Sequence, residues 1–229
     1  MGLTAATYLG GNTVPILDAL VRSMRADGIE IDVDMSSGGS SADARTNAAD
    51  IDLVWLCGSL AMVLIDEGAL NHDVTAAPVF AGQREPVYHS VIIAHRDGPD
   101  SIEDARAGSL GVNEPESWSG HHGLRRHLGD HWFAAEVATG SHRGSIESVA
   151  ARRCDVAGID VTVWEHVSAA EPGAVKDLRV IDRTPDWPAP PFLVSSPAGH
   201  LTDALRAAVP AGLDRIVRTD AARYRELRP

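Results

Sequence analysis

PVYHSVIIAHRDGPD, residues 86–100, decides how this chain is organised. Pro86 opens it, Val87 to Ala94 reads as a strand rich in β-branched residues, and the Asp97-Gly98-Pro99 turn closes it. On its N-terminal side, Leu3 to Tyr8 reads as a strand, Gly10 to Thr13 as a turn, and Val14 to Arg25 as a helix with apolar residues at helical spacing. Ile29 to Met35 alternates as a second strand and runs into the serine-glycine stretch SSGGSSADA. Asp52 to Cys57 is a compact buried strand, followed by a helix from about Ser59 to Glu67. Beyond residue 100 the alternation restarts. The spacing predicts a helix near Ile102–Ala107, a strand at Ser109–Asn113, a helix at about Ser119–Leu128 and a strand at Ala135–Thr139. A helix at Ser145–Arg153 and a strand at Val156–Asp160 complete this second cycle.

Four prolines between residues 185 and 191 exclude helix there, and an apolar strand, Phe192–Val194, follows. Thr202 to Tyr224 carries the pattern of an amphipathic helix. Alternating strands and helices predict an α/β fold with largely parallel sheets. The restart after Val87–Ala94, with a further strand and helix at the end, predicts two lobes, the second inserted in the first. The expected boundaries are 1–88 with 191–229 for the first lobe and 89–190 for the second. A two-strand hinge is expected around residues 88–94 and 190–195, with a ligand between the lobes.

Composition narrows the function classes. The chain has 229 residues, 44% hydrophobic and 23% charged, which suits a folded domain with a substantial core. Twenty basic residues face 32 acidic ones, so a net charge of −12 argues against nucleic acid as a partner. Lys176 is the only lysine, in an acidic, turn-like stretch, which disfavours Schiff-base chemistry. Cys57 and Cys154 sit apart in apolar segments and read as buried thiols. The longest uncharged apolar run, Leu53 to Ile65, is too short to span a membrane. The first twenty residues show no basic n-region and no apolar h-region, which predicts a cytoplasmic location. The size leaves a homodimer open.

The most specific local pattern is Asn113-Glu-Pro-Glu-Ser-Trp-Ser-Gly120, after a strand and opening a helix. Two hydroxyls and free backbone N–H groups at a helix start can cradle an oxyanion; capping is the plainer role of the same residues. Ser36 and Ser37, after the second strand, could add hydroxyl and amide donors, although a solvated loop has the same composition. Gly140-Ser-His142 places an imidazole at another strand-to-helix junction, and Asp160 ends an apolar strand, where a carboxylate needs a partner or a cleft. Glu114 and Glu116 flank Pro115 close to His121 and His122, a set that could divide acid and base roles. Adjacent histidines diverge by about 100° on a helix, so no metal site is expected. Walker, GxGxxG and GxSxG motifs are absent, and no cofactor is implied.

Asp52-Leu-Val-Trp-Leu-Cys-Gly58, Pro86-Val-Tyr-His-Ser90, Asn113-Glu-Pro with Ser117-Trp-Ser-Gly120, Gly140-Ser-His142 and Asp155-Val-Ala-Gly-Ile-Asp160 occur in this order. Together, over roughly residues 3 to 197, they resemble the PhnD-like, phosphonate/phosphate-binding branch of type 2 periplasmic binding proteins. The resemblance implies two α/β lobes closing on an oxyanion held at the Ser-x-Ser-Gly helix start. It makes Ser117, Trp118, Ser119 and Gly120 ligand contacts. It also makes Tyr8, Trp55, Tyr88, His142 and Asp160 residues lining the site. His121 departs from the pattern, which commonly has an aromatic residue after Ser-x-Ser-Gly.

Because no export signal is visible, the leading expectation is a cytoplasmic enzyme on this scaffold, an architecture that chorismate dehydratase also resembles. It would grip a small anionic metabolite, a phosphate or carboxylate, and carry out metal-free dehydration or condensation and cyclisation in biosynthesis. Glu114 or Glu116 would move a proton, and His142 or His121 would return it. The alternative is a solute-binding protein that delivers phosphonate, phosphate or a related oxyanion to an importer permease. An intracellular ligand sensor is a third class.

Overall fold

The structure, a computed structural model, describes residues 2–35 and 39–228. Ser36 and Ser37 lie outside the described residues. In chain order the elements are β1 (Leu3–Thr7), α1 (Val14–Ala26), β2 (Ile31–Val33), α2 (Ser41–Asn47), β3 (Leu53–Trp55), α3 (Gly58–Asp66), β4 (His72–Phe80) and β5 (Val87–Tyr88). There follow β6 (Ser90–His95), β7 (Ser109–Val112), a π-helical turn (Trp118–His122) running into α4 (Gly123–Leu128), β8 (Ala135–Ala138) and α5 (His142–Ala150). Next come β9 (Val156–Asp160), α6 (Val161–Ala170), α7 (Pro172–Val175), β10 (Leu178–Arg183) and β11 (Trp187–Pro188). The chain ends with β12 (Phe192–Ser195), α8 (Leu201–Ala207), β13 (Leu213–Arg218) and a 3-10 segment, Ala221–Leu227. No helix among the described residues is long and apolar enough to cross a membrane.

Two units form, one from Met1–Val87 with Pro188–Arg228 and the other from Tyr88–Trp187. The chain therefore passes between them in β5 and β11. The longer strands β6 and β12, expected as hinge strands, each belong to the interior sheet of one unit.

The discontinuous unit holds a six-stranded sheet in the order β13-β4-β12-β3-β1-β2. β3 reads Leu-Val-Trp with every residue buried because it lies between parallel β1 and antiparallel β12. Helix α1 buries Leu17, Leu20, Val21 and Met24, the i, i+3, i+4, i+7 stripe its sequence carries. That stripe packs with Trp55, Phe192, Leu201 and Leu205 in the core. Helix α2 starts at a capping box in which Ser40 and Asp43 each satisfy the other's backbone. Gly58 opens α3 beneath the C-terminal segment, where a Cβ would stand 2.7 Å from Tyr224 Cδ1 and 2.9 Å from Leu227 Cδ1.

The inserted unit holds a five-stranded sheet in the order β10-β6-β9-β7-β8. Strand β6 is apolar on both faces. Val91 and Ile93 pack with Ala157 and Ile159 under α5 and α6, whereas Ile92 and Ala94 pack with Leu110, Val112 and Leu124. Burial on both faces explains why its sequence reads as an unbroken apolar run.

Several expectations change. The sheets are mixed rather than largely parallel: β12, β13, β6 and β10 all run antiparallel to at least one neighbour. Thr202–Tyr224 is not one helix. After α8 the chain meets Pro210 and then Gly212 at φ +94°, continues as β13 beside β4, and ends in the 3-10 segment. Residues 102–107 form turns instead of a helix, with Ala107 at φ 62° held by its N–H to the Trp132 carbonyl at 2.8 Å.

Candidate functional site

The site is built in the inserted unit where β7 gives way to the π-helical turn. Ser117 takes extended backbone angles and caps the turn, its Oγ accepting from the Gly120 N–H at 3.1 Å. Ser119 Oγ lies 3.5 Å from Ser117 Oγ and 2.8 Å from His142 Nε2. Asn113, at the end of the preceding strand, packs directly against Gly120. A Cβ at position 120 would collide with the Asn113 side-chain oxygen, so a larger residue there must push that amide aside. Gly158 of β9 plays the same part beneath Ser119, since a Cβ there would stand 2.8 Å from the Ser119 carbonyl.

His142 opens α5 behind Ser141, whose Oγ accepts from the Gly144 N–H at 2.9 Å. Gly140, at φ +77°, makes the bend that delivers the imidazole. Burial pushes His142 down to about 4, so the ring is neutral near pH 7. A backbone hydrogen bond with Gly158 works against that shift without overcoming it. Asp160 ends β9 opposite Ser90 of β6 and caps α6, accepting from the Thr162 N–H at 2.8 Å and the Thr162 hydroxyl at 2.7 Å. Burial outweighs those two bonds and pushes its carboxyl up to about 6.

Ser117, Ser119, Gly120 and His142 thus come together, with Asp160 on the strand that supports them. Trp118 is only 1% exposed and packs edge-on against Trp187, centroids 5.3 Å apart. Tyr88 is buried at the crossover β5, and Tyr8 is buried just after β1 in the other unit. Trp55 is committed to the core of its unit. It is fully buried, stacked on Phe192, and its Nε1 donates to the Pro190 carbonyl at 3.0 Å.

The acid/base set does not assemble as the sequence suggested. His121 is held at both ring nitrogens, Nδ1 at 2.8 Å from the Pro115 carbonyl and Nε2 at 3.1 Å from Glu136 Oε1. Glu114 and Glu116 are half-buried in the loop that leads into the turn. No group of three or more metal-ligating side chains occurs among the described residues. Residues the sequence reading left out of the site are Ser90, Gly158, Thr184 and Trp187. Their roles depend on partners distant in the chain, so no local pattern announces them.

A profile of the family described as "ABC transporter, phosphonate, periplasmic substrate-binding protein" matches residues 12–223. Comparison with curated protein sequences gives no match. Among solved structures, the chain is similar to a binding-protein component of an ABC phosphonate transporter from Pseudomonas aeruginosa. There the TM-score is 0.73 at 19% identity, over 98% of this chain and 84% of that one. PhnD1 of Prochlorococcus marinus, in complex with methylphosphonate, gives a TM-score of 0.74 at 16% identity over 98% and 95%. An arginine-transport periplasmic binding protein from Legionella pneumophila gives 0.60 at 14% identity over 90% of each chain. At such identities these likenesses establish the fold and leave the ligand to the site's own chemistry.

The family match overturns the enzyme expectation. That family is one of solute-binding proteins, so the catalytic roles given to Glu114, Glu116, His121 and His142, and the lyase or cyclase chemistry, are withdrawn. The cytoplasmic placement loses its support as well, because the family is described as periplasmic and where a sequence begins does not decide the compartment. With a match from residue 12 to residue 223, the chain belongs to the phosphonate-binding family of periplasmic substrate-binding proteins of ABC transporters.

Proposed function

We propose that this protein is the substrate-binding component of an ABC importer and that its ligand is a phosphonate, phosphate or related oxyanion. Ser117 and Ser119 supply the anion-binding hydroxyls, Gly120 lets their turn close, His142 orients Ser119, and a transporter permease met outside the cytoplasm is its partner. The observation that carries this reading is the hydroxyl pair of Ser117 and Ser119 at one glycine-permitted helix start, in a chain of the phosphonate-binding family.

The physical logic follows from the charge. A −12 chain with a single lysine has little excess positive charge to give an anion. Oriented hydroxyls and the N–H groups of a helical first turn supply positive potential without a counter-charge, and they are fixed before the ligand arrives. A tetrahedral oxyanion offers several acceptor oxygens to such a donor set.

Native mass spectrometry of the purified protein, alone and after incubation with methylphosphonate or inorganic phosphate, tests the reading. The expected result is a one-to-one complex from which the anion is recovered chemically unchanged. A ligand recovered as a different compound, or no complex with either anion, contradicts it.

A further inference from the structure

The turn that carries Ser117 and Ser119 is fastened to both segments in which the chain leaves its unit. Ser90 is the first residue of β6, two positions after the crossover strand β5, and is fully buried. Its Oγ donates to the Ser119 carbonyl at 2.8 Å. Its N–H donates to Thr184 Oγ1 at 3.0 Å, and its carbonyl accepts from the Thr184 N–H at 2.9 Å. Thr184 directly follows β10 and leads into the returning crossover, β11. A second link joins the same two places: Trp118 of the turn meets Trp187 of β11 at an interplanar angle of 86°. His89 and Asp186 add a third pair between the crossover segments, 3.7 Å apart.

From this arrangement, and resting on the oxyanion-binding reading above, we propose that Ser90 and Trp187 are positioning residues that couple occupancy of the Ser117–Gly120 turn to both crossover segments. Hydrogen bonds weaken steeply with distance and angle, and a buried serine with three bonds has no solvent to replace them. A turn that tightens around an anion therefore draws Ser90 and, through it, Thr184. Trp118 is 1% exposed and close-packed, so it carries Trp187 with it. The anion binds better to the tightened turn, and that difference in affinity is what orders the crossovers.

Hydrogen–deuterium exchange with and without saturating methylphosphonate reads this directly at the non-proline amides within residues 86–90, 117–122 and 184–188. In the wild-type protein methylphosphonate is expected to slow exchange in all three stretches. Ser90→Ala and Trp187→Phe should each still bind methylphosphonate, with affinity weakened about tenfold, the equivalent of one lost hydrogen bond or edge contact. At saturation they should keep the slowing at 117–122 and lose it at the crossovers. Trp187 is half-buried, so its variant carries the test should Ser90→Ala fail to fold. Crossover slowing that persists in the saturated variants, or that is absent in the wild type despite slowing at the turn, overturns the coupling. Failure of the wild-type protein to bind either methylphosphonate or inorganic phosphate overturns the binding reading instead.

Discussion

Ser119 Oγ and His142 Nε2 are 2.8 Å apart, and this one contact decides whether Ser119 can serve an anion. A neutral imidazole has a single N–H. With that hydrogen on Nε2, Ser119 accepts it and keeps its own hydroxyl hydrogen for a ligand. With it on Nδ1, the serine hydrogen is drawn to the ring and lost to the ligand. If Ser119 serves the proposed anion, the ring must take the Nε2–H form. Nitrogen-15 spectra of His142 with methylphosphonate bound should show the Nε2–H tautomer; the Nδ1–H tautomer would remove Ser119 from the donor set.

Gly120 lies against the Asn113 side-chain amide. Gly120→Ala should push that amide aside, cost about 1–2 kcal/mol of stability, and weaken anion binding by disturbing the alignment of Ser117 and Ser119. Urea unfolding and calorimetric titration measure the two effects. An alanine variant of unchanged stability and affinity would show that the turn does not rest on Asn113.

In the other unit, Gly58 lies under Tyr224, whose hydroxyl donates to the Ala189 carbonyl at 2.8 Å. Gly58→Ala should lift the C-terminal segment from α3 and cost about 1–3 kcal/mol. Tyr224→Phe should cost about 1 kcal/mol through the orphaned carbonyl. Urea midpoints report both, and equal losses would argue against steric lifting as the dominant effect at Gly58.

His142 and Asp160 are expected to oppose each other in the pH dependence of stability. Burial lowers His142 from 6.5 to about 4 and raises Asp160 from 3.8 to about 6. As pH falls from 6.5 to 4, the unfolded chain takes up a proton on His142 that the folded chain refuses, so this contribution weakens the fold. Over nearly the same range the folded chain keeps the Asp160 proton that the unfolded chain releases, so this contribution strengthens the fold as pH falls. The wild type should therefore vary little between pH 7 and 4 from these two groups. Relative to it, His142→Gln should gain stability as pH falls and Asp160→Asn should lose it. Denaturant midpoints at pH 7, 6, 5 and 4 check both slopes, and parallel curves for all three proteins would contradict the assignment.

The sign of the salt effect separates neutral donors from a cationic site. Repulsion between an anion and a −12 protein is screened as salt rises. Affinity for methylphosphonate should hold steady or rise between low and high sodium chloride. A fall of tenfold or more would point to lysine or arginine as the main contact.

Much of the fold was legible because its central strands are chemically simple. β1, β3, β7 and β9 are short and largely apolar, and β6 is buried on both faces, so all of them declare themselves locally. β4 did not, because its polar start at His72-Asp73 and its Pro78 break the pattern while long-range pairing with β12 and β13 supplies what propensity lacks. β13 was hidden in an amphipathic stretch whose period resembled a helix until Pro210 and Gly212 are given their due. The Ser117–Gly120 turn stood out as a helix start because serine and glycine at a strand-to-helix junction are capping residues, and Ser117 does cap the turn. Ser90 was not, since its role depends on a carbonyl 29 residues away. The acid/base reading failed for the converse reason: Glu114, Glu116 and His121 are neighbours in sequence, but the fold commits His121 to Pro115 and Glu136.

Isothermal titration calorimetry of the wild-type protein and a Ser117→Ala/Ser119→Ala variant with methylphosphonate and inorganic phosphate tests the central claim most directly. The account predicts one-to-one binding of at least one of these anions, weakened by about a hundredfold or more in the variant, as expected for two lost hydrogen bonds to a charged ligand. Binding of equal strength in the two proteins, or none in the wild type, would contradict it.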